Sequence, residues 1–165
     1  PEETGETFYE NARGKARFAR SVVLAEVPVL GEDSGLEVDA LDGAPGPASA
    51  RYGGPGLSDA ERVTYLLRAV GDAPARTARF RCVLALIAPW GEETMVEGLV
   101  EGILTDTPRG IGGFGYDPVF LVPEIGRTLA ELTPVEKHRV SHRGRAVGLA
   151  RPILARWARR AVQFP

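Results

Sequence analysis

The sequence predicts a single α/β domain, and three observations predict it. A length of 165 residues with 44% hydrophobic and 25% charged content suits one core of ordinary size. Two segments carry helix-start signals ahead of apolar residues at helical spacing. Between and after them lie apolar runs that read as strands, two of them long.

The elements follow in order. "TFYENARGKARFARSVV" sets Thr7 and Glu10 in capping-box spacing and places Phe8, Ala12, Ala19 and Val22 on one stripe, which predicts a helix. Gly14 inside it costs about 1 kcal/mol relative to alanine, so close packing or ligand approach is expected there. "VPVLGEDSGLEVDAL" reads as a strand, a tight turn bearing Glu32 and Asp33, and a second strand alternating through Leu36, Val38 and Ala40. "DGAPGPASARYGGPG" is too rich in glycine and proline for regular structure. "SDAERVTYLLRAVG" is a helix capped by Ser58 and Glu61 and stopped by Gly71. "ARFRCVLALIAP" and "ETMVEGLVEGILT" form a hairpin turning at "WGEE". A loop, the short strand "VFLV" and two helical segments around "TPVEKHRVSHR" and "GLARPILARWARRAV" complete the chain.

Composition narrows the function. No run approaches the roughly 18 to 20 apolar residues that span a bilayer, and no basic-then-apolar leader opens the chain, so a cytoplasmic protein is expected. Cys82 is the single cysteine, which excludes an internal disulfide. One cysteine and two clustered histidines cannot build a zinc site of the His and Cys type. A net charge of −2 gives no general attraction for nucleic acid. Arginine outnumbers lysine by 18 to 2. Lys15 and Lys137 therefore mark places where a compact point charge was kept in preference to a planar fork.

Three constellations could carry chemistry. "GIGGFG", Gly110 to Gly115, matches the letters of a dinucleotide or kinase loop, but Pro108 precedes it and "YDPVFLV" follows, so the strand and helix those motifs need are missing. What remains is a glycine loop exposing backbone N–H groups, flanked by Phe114 and Tyr116 and followed by Asp117, which could stack a base and hold phosphate oxygens. "EKHRVSHRGRA" packs Lys137, His138, Arg139, His142, Arg143 and Arg145 together, a cluster that needs an anion or buried acids to offset its repulsion. A sharp turn at "SHRG" would let Lys137, His142 and Arg143 converge. Glu32 and Asp33 at a strand end, with Glu2 and Glu3, supply the hard oxygen ligands that Mg2+ takes alongside water and substrate phosphates.

Together, "EETGETFYENARGKA", "GEDSGLEVDALDGAPGPASARYGG", "RFRCVLALIAP", "GIGGFGYDPVF" and "AELTPVEKHRVSHRGRA" resemble the inosine/xanthosine triphosphate pyrophosphatase family. The resemblance implies an elongated mixed sheet flanked by helices, with two lobes around a central cleft, and a homodimer. It implies Mg2+-dependent cleavage of deaminated purine nucleoside triphosphates to the monophosphate and pyrophosphate. By position, Asp33 corresponds to the catalytic acid and metal ligand, and Glu3 to its partner at the metal. Ser34, Lys15, Phe114, Gly115, Tyr116, Asp117, Lys137, His142 and Arg143 correspond to substrate contacts, with Phe114 the stacking platform and His142 and Arg143 the base-reading pair. Donors at the base edge would donate to the C6 oxygen of hypoxanthine or xanthine and leave adenine mismatched. Members of that family open with a strand and a phosphate-gripping loop that nothing before Pro1 supplies. Residues 1–165 are thus expected to be one domain lacking that segment, with a binding-only nucleotide module as the alternative. Nucleic-acid binding through the arginine-rich last helix is a third reading.

Overall fold

The computed structural model describes residues 3–23 and 26–163, the side chains of residues 161–163 excepted. Its helices are α1 (Phe8–Val22), α2 (Asp59–Val70), α3 (Pro134–Val140) and α4 (His142–Gln163). Its strands are β1 (Val29–Val38), β2 (Thr77–Ile87), β3 (Glu93–Leu104), β4 (Phe120–Val122) and β5 (Arg127–Thr128). They form one sheet in the order β1-β2-β3-β4-β5, every pairing antiparallel. The α/β architecture is the one the sequence predicts. No helix among the described residues is long and apolar enough to cross a membrane.

Both capping boxes read from the sequence are formed. The Thr7 hydroxyl accepts from the Glu10 amide at 3.1 Å while the Glu10 carboxylate accepts from the Thr7 amide at 3.0 Å. Ser58 and Glu61 do the same at the start of α2. Each reciprocal pair satisfies two amides that a helix start leaves without partners. The buried stripe of α1 is Phe8, Asn11, Ala12 and Ala16; Val22, 67% exposed, lies off it.

The largest departure from expectation is at "GEDSG". No turn interrupts it: β1 runs unbroken from Val29 to Val38, each residue in register with β2, so that Asp33 faces Val83 and Ser34 faces Cys82. The glycines and acids that suggest a turn serve an alternation instead. Gly31, Asp33 and Gly35 share one face, Ser34, Leu36 and Val38 the other. A Cβ at Gly31 would stand 2.2 Å from the Ala12 carbonyl oxygen and 2.3 Å from the Ala16 nitrogen. A Cβ at Gly35 would stand 2.4 Å from the Gly46 carbonyl oxygen. The two glycines thus let α1 and the 3-10 turn Gly46–Arg51 close onto the strand, with Asp33 between them. The second expected strand also ends early, because residues Asp39–Leu41 turn and Asp42 adopts a left-handed φ of 51°.

Three apolar clusters cover the sheet. Phe8, Ala12 and Ala16 of α1 pack with Val83, Ala85 and Ile87 on the Asp33 face. On the opposite face, α2 packs Val63, Leu66 and Val70 against Leu36, Phe80 and Phe120, while α4 packs Ala146, Ala150 and Trp157 against Cys82, Leu84 and Leu86. The far end of α4 is tied to the hairpin by Glu92, which accepts from Arg156 at 3.0 Å and from the Trp157 indole at 3.2 Å. The start of α4 presses on β3 so closely that a Cβ at Gly98 would meet the His142 carbonyl oxygen at 2.0 Å. His142 and Arg143 are thereby set at the seam between the two clusters, where a cavity opens.

Candidate active site

The sequence-predicted residues gather in two groups on the two faces of β1. The first is acidic. Asp33, 4% exposed, receives the Lys15 ammonium at 2.7 Å on Oδ1 and the Asn11 amide at 3.3 Å on Oδ2. Glu3 receives the same ammonium at 2.5 Å on Oε1 and Arg51 at 3.2 Å on Oε2. The Glu32 carbonyl oxygen takes a third bond from Lys15 at 2.9 Å. Burial raises the Asp33 pKa against the opposing pull of Lys15 and Asn11. For Lys15 burial acts downward, but the hydrogen bonds and charges of Asp33 and Glu3 outweigh it and hold the ammonium charged. The bonds from Lys15 hold Glu3 below its ordinary range, against burial.

The second group lines a cavity of about 190 Å³ that includes Ser34, Phe114, Tyr116, Asp117, His142 and Arg143. The glycine loop carries Phe114 out into solvent, 58% exposed, with the Lys137 ammonium 4.5 Å and the Arg143 guanidinium 5.0 Å from its ring centroid. Asp117 is buried, is ion-paired with Lys137, and accepts the Phe114 amide at 2.7 Å. Tyr116 is buried and donates its hydroxyl to the Ser49 carbonyl at 2.9 Å, which makes it an anchor of the loop and not an open face for stacking. Gly115 donates its amide to Asp59 at 2.6 Å.

The basic segment does turn sharply. α3 ends at Val140, Ser141 is extended (φ −70°, ψ 156°), and α4 restarts at His142, so Lys137 and Arg143 arrive over one ring. Arg143 reaches back to β1, donating to the Ser34 hydroxyl at 2.8 Å and to Glu32 at 3.1 Å. His142 stacks on Phe80 with centroids 4.7 Å apart and planes 12° from parallel. Burial, reinforced by the charges of Arg143 and Lys137, depresses its pKa to about 3. The ring is therefore neutral, offering one donor and one acceptor, and its Nδ1 is buried without a hydrogen-bond partner. Cys82 lies beneath, protonated because burial pushes its thiol up to about 12, and donates to Glu32 at 3.6 Å.

The structure thus brings Ser34, Phe114, Gly115, Tyr116, Asp117, Lys137, His142 and Arg143 to one pocket, and Asp33, Glu3 and Lys15 to an adjoining cluster. Glu32, Asp33 and Ser34 connect the two through the strand, and Arg51 connects them through the turn that also supplies Ser49 to the cavity. Glu2 lies outside the described residues. No group of three or more His, Cys, Asp or Glu side chains converges on a metal position among the described residues. The donor set still fits a hard divalent cation. Two carboxylates and a carbonyl oxygen already converge on one positive charge, and Mg2+ commonly takes one or two carboxylates and completes its shell with water and phosphate. Sequence reasoning missed Asn11, Arg51 and Asp59. Asn11 left a signal, a polar residue one turn before Lys15 on a buried face; Asp59 left none.

Comparison with known proteins places the chain as a whole among relatives of one family. The family model described as the Ham1 family matches residues 1–152. A dITP/XTP pyrophosphatase of Halalkalibacterium halodurans is 50% identical over 153 residues, 88% of this chain and 75% of its own length. A dITP/XTP pyrophosphatase of Gloeobacter violaceus is 55% identical over 146 residues, 88% of this chain and 72% of its own. A solved HAM1 protein from Coxiella burnetii superposes with a TM-score of 0.88 at 44% identity, covering 94% of this chain and 80% of that one.

Proposed function

The chain belongs to the Ham1 family, and from that premise we propose that it is a hydrolase that cleaves deaminated purine nucleoside triphosphates, dITP and XTP among them, to the monophosphate and pyrophosphate. The single observation that carries the reading is the exposed Phe114 ring, flanked by two cations and lining one cavity with a neutral buried histidine, beside a carboxylate pair that already holds a cation.

Each residue acquires a role from its geometry. Phe114 offers a face on which a base can stack, and Lys137 and Arg143 over the same ring favour an anionic nucleotide. Arg143 presents donors toward a C6 oxygen, while the unpartnered Nδ1 of His142 awaits a polar group of the base. Adenine, with an amino group at C6, would leave those donors unpaired at a cost of about 1–3 kcal/mol each. Ser34 and the Gly115 region bound the pocket between base and phosphates. Glu3 and Asp33 are the residues that would hold Mg2+, with Lys15 moving toward substrate phosphate as it yields its carboxylates. Bound magnesium supplies positive charge against the phosphate oxygens. Asp33, buried and with a raised pKa, is suited to orient the attacking water or take its proton. Pyrophosphate is a good leaving group and asks for little acid catalysis. The same reading carries with it the family's homodimer and a cytoplasmic setting.

The test is pyrophosphate release with Mg2+ from dITP, XTP, dATP and dGTP. Rates for the first two far above the others support the reading. Comparable turnover of all four would reject the specificity, and a flat assay with inosine monophosphate still binding would make this a binding-only module.

A further inference from the structure

Asp59 opens α2, yet its carboxylate serves an element 56 residues further along the chain: Oδ2 accepts the Gly115 amide at 2.6 Å. The helix start beneath it is rigid. Ser58 and Glu61 close the capping box, and Arg62 donates to the Tyr52 carbonyl at 2.7 Å and the Leu57 carbonyl at 2.9 Å.

The loop it reaches is the opposite in character. Gly113 and Gly115 have φ of 75° and 59°, a conformation glycine holds at the cost of the most backbone entropy. Ile111 at its tip is fully exposed. A second cavity of about 350 Å³ lies between the loop, from Ile111 to Gly115, and Asp59, Val63 and Thr64 of α2, so the loop is not packed tightly on the helix. The ring contacts of Phe114 are with two long, flexible cationic side chains. Its orientation must be set by its backbone, where carboxylates hold two successive amides: Asp117 on Phe114 and Asp59 on Gly115.

We propose that Asp59 is a positioning residue for nucleotide binding, its carboxylate pinning the Gly115 amide so that the Phe114 ring stands ready as the stacking platform. The proposal rests on the nucleotide-hydrolase reading for its consequence, though not for the contact itself. Pinning removes an ordering cost that binding would otherwise carry, so its loss weakens binding and leaves the chemical step alone.

Asp59→Ala should raise the KM for dITP about three- to tenfold, as loss of one exposed charge-assisted hydrogen bond suggests, with kcat within twofold. Asp59→Asn keeps an acceptor oxygen but not its charge, and should lose clearly less than Asp59→Ala, falling between it and wild type. Ser58→Ala, which weakens the same helix start without touching the loop, should lower Tm and leave KM unchanged. Amide hydrogen exchange in the nucleotide-free protein gives a readout independent of any substrate, in which Gly115 should exchange fastest in Asp59→Ala among the three. An unchanged KM in Asp59→Ala, equal losses in Asp59→Asn and Asp59→Ala, or unaltered exchange at Gly115 would each overturn the proposal. Failure of the hydrolase reading shows separately, as a wild-type protein that turns over no dITP while the exchange result still decides the pin.

Discussion

Asp33 and Ser34 are consecutive in β1 and face opposite sides of the sheet, Asp33 bonded to Lys15 at 2.7 Å and Ser34 to Arg143 at 2.8 Å. The period of two in a strand turns one short stretch into the shared wall of two sites. A carboxylate cluster and an aromatic, basic pocket are held at fixed separation by a strand paired residue for residue with β2.

Lys15 is a tethered cation in the carboxylate cluster. Lys15→Met should destabilise the protein by about 2–3 kcal/mol in EDTA, because it leaves Asp33 buried without its charge partner. Mg2+ should then restore more stability to the variant than it adds to wild type. Lys15→Arg should not rescue, since a planar fork cannot replace a point charge among three converging oxygens. Thermal unfolding with and without Mg2+ checks all three statements.

Two glycines should respond with opposite sign. Gly31→Ala forces a methyl against α1 backbone that cannot step aside, and should cost about 2–3 kcal/mol in urea unfolding. Gly14→Ala adds a methyl to an exposed helix position with nothing within 4 Å, and should stabilise by about 0.5–1 kcal/mol.

The buried neutral histidine gives a pH signature. The folded pKa of His142 is about 3 and the unfolded value is near 6.5. Between these values the unfolded chain binds a proton that the folded chain refuses, so stability is intact above about pH 6.5 and falls as the pH drops toward 3. Wild type should lose up to about 1.4 kcal/mol per pH unit relative to His142→Gln over that window. Urea unfolding of both at pH 7, 6 and 5 reads the difference, with the carboxylates cancelling between them. Parallel curves would show that the ring takes up its proton in the fold as readily as in the unfolded chain.

Arg143 should govern base choice. Arg143→Lys keeps the charge over Phe114 but gives up the fork that reaches both Ser34 and Glu32. Its kcat/KM for dITP should fall about 10- to 100-fold, while the already poor dATP should change little. Equal losses on both nucleotides would assign Arg143 to phosphate instead.

Much of this was readable from the chain because it depends on local chemistry. The capping boxes of Thr7 and Ser58 are satisfied within one turn, so their letters predict their geometry. The two lysines among twenty cations do stand apart, each ion-paired with a buried aspartate. The misreading at "GEDSG" has a physical cause. Glycine signals a turn when only local freedom is considered, and here it answers the close approach of α1 and the 46–51 turn, which are tertiary facts. Gly14, expected to allow close packing or ligand approach, meets nothing within 4 Å, and no contact in the structure explains it. Tyr116 looked like an open aromatic face beside Phe114, and its hydroxyl bond to Ser49 across 67 residues was not visible in the loop's own letters. Asp59 was invisible for the same reason, since an acid in the first turn of a helix is ordinary.

The central claim is that the carboxylate of Asp33 carries the chemical step beside the pocket that Phe114, His142 and Arg143 form. Pyrophosphate release from dITP by Asp33→Asn, measured alongside inosine monophosphate binding by the same sample, tests it most directly. The account predicts turnover lowered by about a thousandfold or more with monophosphate affinity preserved within about threefold, since the substituted side chain lies across the strand from the base pocket. Turnover close to wild type in that variant would contradict it.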